Sequence, residues 1–371
     1  MIMFKTMKTE TKNRRSGIWG ADVSFGRVNI TQKTLFARHM SVMLKAGVPI
    51  VESLQVAVES ADGKFKRVLA GVLRAVESGN PLSAALRLYA SVFPPFFINA
   101  AYAGEKSGTL VENLENISVE LEKEKALLGK VRGALTYPII VIVLAFFLVM
   151  AFSFFVLPKI APLFSGLGQT LPLSTRVMIS FSRFMEQWGV YAFFLLIGCI
   201  PFLVWFLRRP FVRPVTHRLL LIVPVVRSIS HNVNLVRFSR TLAMLVRSGI
   251  SIDEALSIVE ETLGNFYYRR AIRRVTEHVR RGGKLSEALE LRRDLFPVLL
   301  TRMVRVGEES GKFEETLFYL GTFYEDEVDA ATRSITTIIE PALLLGIGLV
   351  VGFIALSIIT PIYNITGNIS R

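Results

Sequence analysis

The nearest approaches to a phosphate-binding loop in this chain are Gly283-Lys284-Leu285 and Gly311-Lys312-Phe313. A loop that cradles nucleotide phosphates needs a first glycine five positions before the second, then lysine, then a hydroxyl that holds Mg2+. Neither candidate has that spacing or that hydroxyl, so the chain itself is not expected to bind ATP. The histidines, His39, His217, His231 and His278, are scattered, and none pairs with cysteine or another histidine at metal-ligand spacing. Cys199, the one cysteine, lies in an apolar run, which excludes a disulfide framework or a cysteine-based metal site within one chain. The expectation is a protein that is not an enzyme, with no catalytic, cofactor-binding or metal residues.

What remains is chemistry of charge and shape. Gly104-Glu105-Lys106-Ser107-Gly108 recurs as Gly307-Glu308-Glu309-Ser310-Gly311. Its glycines suit a tight corner between helices. Either Glu105 and Glu308 reach a partner or a neighbouring subunit, as loops on rigid helices commonly do, or each caps a nearby helix while the glycines permit close packing. Gly104, Glu105, Gly108, Gly307, Glu308 and Gly311 are therefore candidates for partner or inter-domain contact. A basic stripe, Arg269, Arg270, Arg273, Arg274, Arg280 and Arg281, follows Tyr267-Tyr268 on a helix. Anionic lipid, the ordinary positive bias of cytoplasmic segments, and an acidic protein face all fit it better than nucleic acid does.

Glu340 stands at the mouth of an apolar run where the first copy has Tyr137. An ionisable group at membrane depth is a functional candidate by default, yet one helical turn brings this carboxylate to the interface. It serves either an interhelical contact or interfacial anchoring; a proton relay would need a second intramembrane acid or base. Gly348 and Gly352 form a GxxxG that Ala355 extends, a face that lets membrane helices approach closely, within one chain or between two. With Pro138 and Pro341 these are the candidates for membrane-helix packing.

The elements that must position these groups come in duplicate. Phe36-Ala37-Arg38 answers Phe238-Ser239-Arg240, and Gly47-Val48-Pro49-Ile50 answers Gly249-Ile250-Ser251-Ile252, at an offset of 202 residues. After a one-residue slip the offset is 203: Gly79 answers Gly282, Phe93-Pro94 answers Phe296-Pro297, and the glycine-glutamate element follows. One nearly fixed offset over this length denotes a duplicated domain and not a short-period solenoid. Apolar spacing at Leu44, Val48, Val51, Leu54 and Val58 is helical, and strand-like alternation is nearly absent. The fold expected is all-α, two homologous helical bundles plus three transmembrane helices. Gly47 suits a left-handed helix end and Pro49 a first turn. Ser251 with Glu254, and Thr109 with Glu112, read as capping boxes.

Each copy runs into an apolar stretch. Residues 139–157 and 342–360 lie between prolines (Pro138 and Pro158, Pro341 and Pro361), each long enough to cross roughly 28 Å of hydrocarbon as a helix. A third stretch, 190–207, lies outside the duplication and contains Pro201. Residues 219–226 are apolar but short, which suggests a surface or core segment. Lys125, Lys130 and Arg132 precede the first span and Arg208, Arg209 and Arg213 follow the second, which places both bundles in the cytoplasm. The expected organisation is a basic cytoplasmic leader (1–33), a first bundle (34–136), a span (137–158) and an external loop (159–189). A second span (190–207), a cytoplasmic connector (208–235), a second bundle (236–339), a third span (340–361) and an external tail (362–371) follow. The chain of 371 residues, 51% hydrophobic and +14 in net charge, thus reads as a basic multi-pass protein of the cytoplasmic membrane. No secretory signal peptide is apparent, and the N-terminus is expected inside and the C-terminus outside.

The duplicated Phe-x-Arg, the Gly-[Val/Ile]-[Pro/Ser]-Ile corner, Gly-Glu-x-Ser-Gly, Tyr137-Pro138 with Glu340-Pro341, and Leu171-Pro172-Leu173-Ser174-Thr175-Arg176 resemble the type II secretion system F family over roughly residues 34 to 365. The resemblance implies two six-helix cytoplasmic domains and three membrane helices forming an inner-membrane platform. It also implies the partners: a cytoplasmic hexameric ATPase, pilin or pseudopilin subunits, other inner-membrane assembly proteins, membrane lipid, and further copies of the chain in a homo-oligomer. The competing readings are a membrane-anchored scaffold with unrelated cytoplasmic partners and an oligomeric transporter component. The second lacks a polar path, since the spans carry no charge apart from boundary Glu340.

Overall fold

The first bundle starts at Asn29, whose side chain accepts a hydrogen bond at the head of α1 (Ile30–Lys45) while Gln32 reaches back to the Asn29 amide at 3.2 Å. That reciprocal capping was not anticipated from the sequence. The computed structural model describes residues 28–152, 155, 173–207, 209 and 211–369; the expected leader lies almost wholly outside them, as do residues 156–172. Among the described residues there is no strand. α2 (Ile50–Glu59), α3 (Gly63–Glu77), α4 (Leu82–Arg87), α5 (Pro95–Ser107) and α6 (Leu110–Ala151) complete the first bundle. After α7 (Leu173–Leu207) and the short α8 (Arg213–Ile222), the second bundle repeats the order. It comprises α9 (Pro224–Arg247), α10 (Ile252–Thr262), α11 (Phe266–Arg280), α12 (Leu285–Glu290), α13 (Val298–Ser310) and α14 (Phe313–Ile369).

The repeated phenylalanines explain themselves as core. Phe36, Phe65, Phe93 and Phe97 are buried together, with ring centroids 5.2–6.2 Å apart in offset and edge-on arrangements. In the second bundle Phe238, Tyr268 and Phe296 hold the corresponding places. Tyr268 replaces Phe65, and its buried hydroxyl is satisfied by the Leu295 carbonyl at 3.0 Å and His231 Nδ1 at 2.6 Å. Gly47 closes α1 in the left-handed region at φ 84°, as expected, and Gly249 does so after α9 at φ 83°.

Both expected capping boxes are absent. The Ser251 hydroxyl is drawn to Asp253 Oδ1 at 2.7 Å, and the Thr109 hydroxyl bonds to Ser107 and Asn113, at 2.7 and 3.3 Å, with a backbone that is not extended. In each case a side chain outcompetes the helix amides.

The prolines do not divide bundles from spans. α6 runs 42 residues through Pro138, and α14 runs 57 residues through Pro341 and Pro361, so the stretch expected as a tail is helical to Ile369. A proline removes one intrahelical hydrogen bond, and a long helix that is held at neighbouring turns tolerates it. Residues 173–189, expected as loop, belong to α7, which continues through Pro201. The 219–226 stretch sits at a 109° bend between α8 and α9. Leu110–Ala151 and Phe313–Phe353 are long and apolar enough to cross a membrane. α6 and α14 pack side by side, and α7 packs on α14.

Candidate functional site

The glycine-glutamate element builds the same corner in both bundles. α5 and α13 end at Gly108 and Gly311, in the left-handed region at φ 75° and 72°. One turn earlier the chain must pass under the next helix. A Cβ on Gly104 would lie 2.8 Å from the Leu110 Cα, and one on Gly307 would lie 3.2 Å from the Phe313 Cα. Between the glycines, Glu105 turns inward and accepts from the amides of Leu82 and Ser83 and from the Ser83 hydroxyl. Glu308 accepts from the amides of Leu285 and Ser286 at 2.7 and 3.0 Å. A carboxylate on the free amides of a helix start is a charge-assisted cap. It ties α4 to α5 and α12 to α13, so both glutamates are engaged within their own bundles. Gly104→Ala is expected to destabilise the detergent-solubilised chain by about 1–3 kcal/mol in urea titrations, and Gly307→Ala by less, since its neighbours leave more room. Equal, negligible effects would contradict the close approach.

The repeated Phe-x-Arg arginines also have matched partners. Arg38 pairs with Glu122 at 2.9 Å, exposed, while its counterpart Arg240 pairs with Glu325, the counterpart of Glu122, in a buried ion pair. The difference is the first bundle, whose α6 lies over the second pair. α6 brings Glu120, Lys123, Glu124 and Lys130 to Arg237, Arg240, Glu325 and Asp329. Arg237 binds Glu124 at 3.0 Å, and Lys130 binds Asp329 at 2.7 Å and Glu325 at 3.4 Å. Four cations thus meet four carboxylates. Burial raises the Glu120 carboxyl to about 7; nearby Arg240 opposes the rise, and Glu124 and Glu325 add to it. This junction was missed from the sequence: the repeated Arg38–Glu122 and Arg240–Glu325 pairs mark a contact within each bundle, not the docking of one bundle on the other.

On α11, Arg273 bonds to Glu260 at 2.9 and 2.6 Å, and Arg280 to Ser257 at 3.0 Å, which ties the stripe to α10. Arg269, Arg270, Arg274 and Arg281 are exposed without an ion pair among the described residues. Beside α11 an open cleft of about 580 Å3 is lined by Arg218, Arg227, Arg292, His231, Tyr267 and Asp294. Asp294 is bound by Arg292 through two hydrogen bonds, and His231 is held towards its neutral form by burial and by Arg227. Nothing in the sequence marked this cleft, because its residues come from four separate segments.

Pro138 is buried in α6, whereas Glu340 and Pro341 lie on an exposed stretch of α14. A Cβ on Gly348 or Gly352 would meet nothing within 4 Å, so no described residue packs closely against them.

Two copies of a six-helix bundle, each continuing into an apolar helix and joined by a buried charged junction, define a duplicated all-α membrane protein. The model of the family described as type II secretion system (T2SS), protein F matches residues 36–158 and 238–361, the two copies read from the repeat, and the chain belongs to that family. It is 34% identical over 337 residues to the type IV pilus assembly protein PilC of Thermus thermophilus, covering 91% of this chain and 83% of that protein. It is 33% identical to the type IV pilus assembly protein TapC of Aeromonas hydrophila, covering 89% of this chain and 80% of that one. The type II secretion system protein F of Pseudomonas aeruginosa is 31% identical over 357 residues, covering 96% and 88%.

Proposed function

We propose that this chain is a multi-pass inner-membrane platform of a type II secretion or type IV pilus assembly machine, coupling a cytoplasmic hexameric ATPase to assembly of pilin or pseudopilin subunits. The bundles face the cytoplasm, the chain crosses the membrane near residues 137–158, 190–207 and 340–361, and the C-terminus lies outside. It acts as a homo-oligomer among other inner-membrane assembly proteins, with the basic stripe on α11 against lipid headgroups or an acidic ATPase face.

The observation that carries this reading is the continuity of α6 and α14. Each is a bundle helix that becomes an apolar helix without a joint, and the two pack together. A tilt or turn imposed on the bundles by an ATPase is therefore delivered to the membrane part along stiff elements. Relatives named for both machines support the setting. Cross-linking with mass spectrometry on the tagged protein in its native membrane tests it. Links from residues 34–135 and 210–335 to a hexameric ATPase are expected, with the apolar helices linked to a prepilin. Abundant self-links with neither partner would overturn the coupling role and favour a scaffold with unrelated partners.

A further inference from the structure

The contact between the two bundles is not symmetric. The first bundle contributes α5 and α6, the second α9, α10 and α14. By the repeat, α5 and α6 correspond to α13 and α14, whereas α9 and α10 correspond to α1 and α2. The α6–α14 seam joins equivalent helices, but beyond it the first bundle adds α5 and the second adds α9 and α10, so outside that seam each bundle uses a different face. Burial records the consequence at equivalent positions: Met244 is 2% exposed and its counterpart Val42 is 59% exposed. Thr241 and Arg240 are buried, while His39 and Arg38 are exposed. The first bundle therefore carries, on α1, an uncovered version of the face that is covered on α9.

The second bundle carries the matching half. On α13 and α14, Leu299, Val306 and Tyr319 are exposed beside Asp326 and Glu327, the counterparts of Lys123 and Glu124. The free α1 face presents Arg38, His39 and Lys45 around Leu35 and Val42. Arg38 and Lys45 are already paired with Glu122 and Glu115 on α6, so the match between the two faces is chiefly apolar, and the equivalent faces already bind each other within the chain. Head-to-tail contacts of this kind close into rings when their rotation divides the circle.

We propose that the α13–α14 face of one copy docks on α1 of a second copy, repeating between chains the contact made within each chain. The inference rests on the homo-oligomeric part of the proposed function and supplies its interface. The Glu124–Arg237 contact of 3.0 Å maps onto Glu327 of one copy and Leu35 of the next. Both positions are exposed, so substitutions there leave the bundles intact.

Two tagged full-length versions, Leu35→Cys and Glu327→Cys, each with Cys199→Ser, are co-expressed and oxidised in the membrane. A disulfide-linked dimer carrying both tags is expected, with neither version forming covalent dimers alone. Leu35→Arg, which restores an arginine opposite Glu327, is expected to strengthen association about two- to fivefold. Covalent dimers of Leu35→Cys alone would mean that the face meets itself, and would overturn the proposal. An oligomer seen by native mass spectrometry without the mixed disulfide would overturn this interface but leave the homo-oligomer standing; a monomer would overturn both.

Discussion

Replacing Arg240 with alanine is expected to cost the protein about 3 kcal/mol of stability, whereas Arg38→Ala, the same motif residue in the first bundle, should cost less than about 1 kcal/mol. The chemistry of the two pairs is identical; their surroundings differ. Arg38 and Glu122 stand in water, where screening and side-chain entropy cancel most of the attraction. Arg240 and Glu325 are buried under α6, and removing the guanidinium leaves a desolvated carboxylate. The cost falls at the lower end of the range for broken buried pairs because Lys130 remains 3.4 Å from Glu325. Exchanging both partners for apolar residues, Arg240→Met with Glu325→Leu, should recover part of the loss, since the Glu325 carboxylate is then no longer stranded and Lys130 keeps Asp329. Urea titration of the detergent-solubilised chain measures all three. Equal costs for Arg240→Ala and Arg38→Ala would refute the burial argument.

Between pH 4.5 and about 7 the Glu120 carboxyl keeps its proton in the folded junction but loses it in the unfolded chain. The folded state therefore binds more protons over that window, and its stability falls as pH rises through it. The rise from 4.5 to about 7 corresponds to about 3 kcal/mol, fully present below the unfolded pKa and gone above the folded one. Glu120→Gln is neutral at every pH, so its stability should match the native chain near pH 4.5 and exceed it by up to about 3 kcal/mol at pH 8. Hydrogen exchange of α6 and α9 amides against pH reads this locally. An unchanged slope in Glu120→Gln would assign the pH dependence to another group. Its counterpart in the second bundle is Phe323, which has no charge to lose.

The duplication, the helical class and the two bundles were legible because core positions repeat with their identities: Phe36 and Phe238, Phe93 and Phe296, and the glycine-glutamate corner keep their offset. The glycines at that corner were legible as backbone requirements, but the inward turn of Glu105 was not, since a capping carboxylate and a displayed one have the same sequence. Helix ends near Thr109 and Ser251 misled for a related reason: competing acceptors within a few residues decide where a hydroxyl bonds. The junction was hidden more deeply. Glu124 finds Arg237, and Lys130 finds Asp329, only after two bundles dock, and no local period links residues so far apart. The prolines at 138, 341 and 361 marked boundaries by rule, yet α6 and α14 continue through them as helix, since each proline removes only one intrahelical hydrogen bond.

Because α6 has no joint between its bundle and its apolar half, the angular setting of one is locked to the other by residue count. Each residue added or removed between Leu127, at the junction, and Pro138 would turn everything beyond it by about 100°. Seven residues would nearly restore the phase, and four would leave it about 40° off. α14 obeys the same arithmetic beyond Asp329. The number of residues between the junction and each apolar half is thus a dial setting, which fixes the side that each apolar half turns to its surroundings.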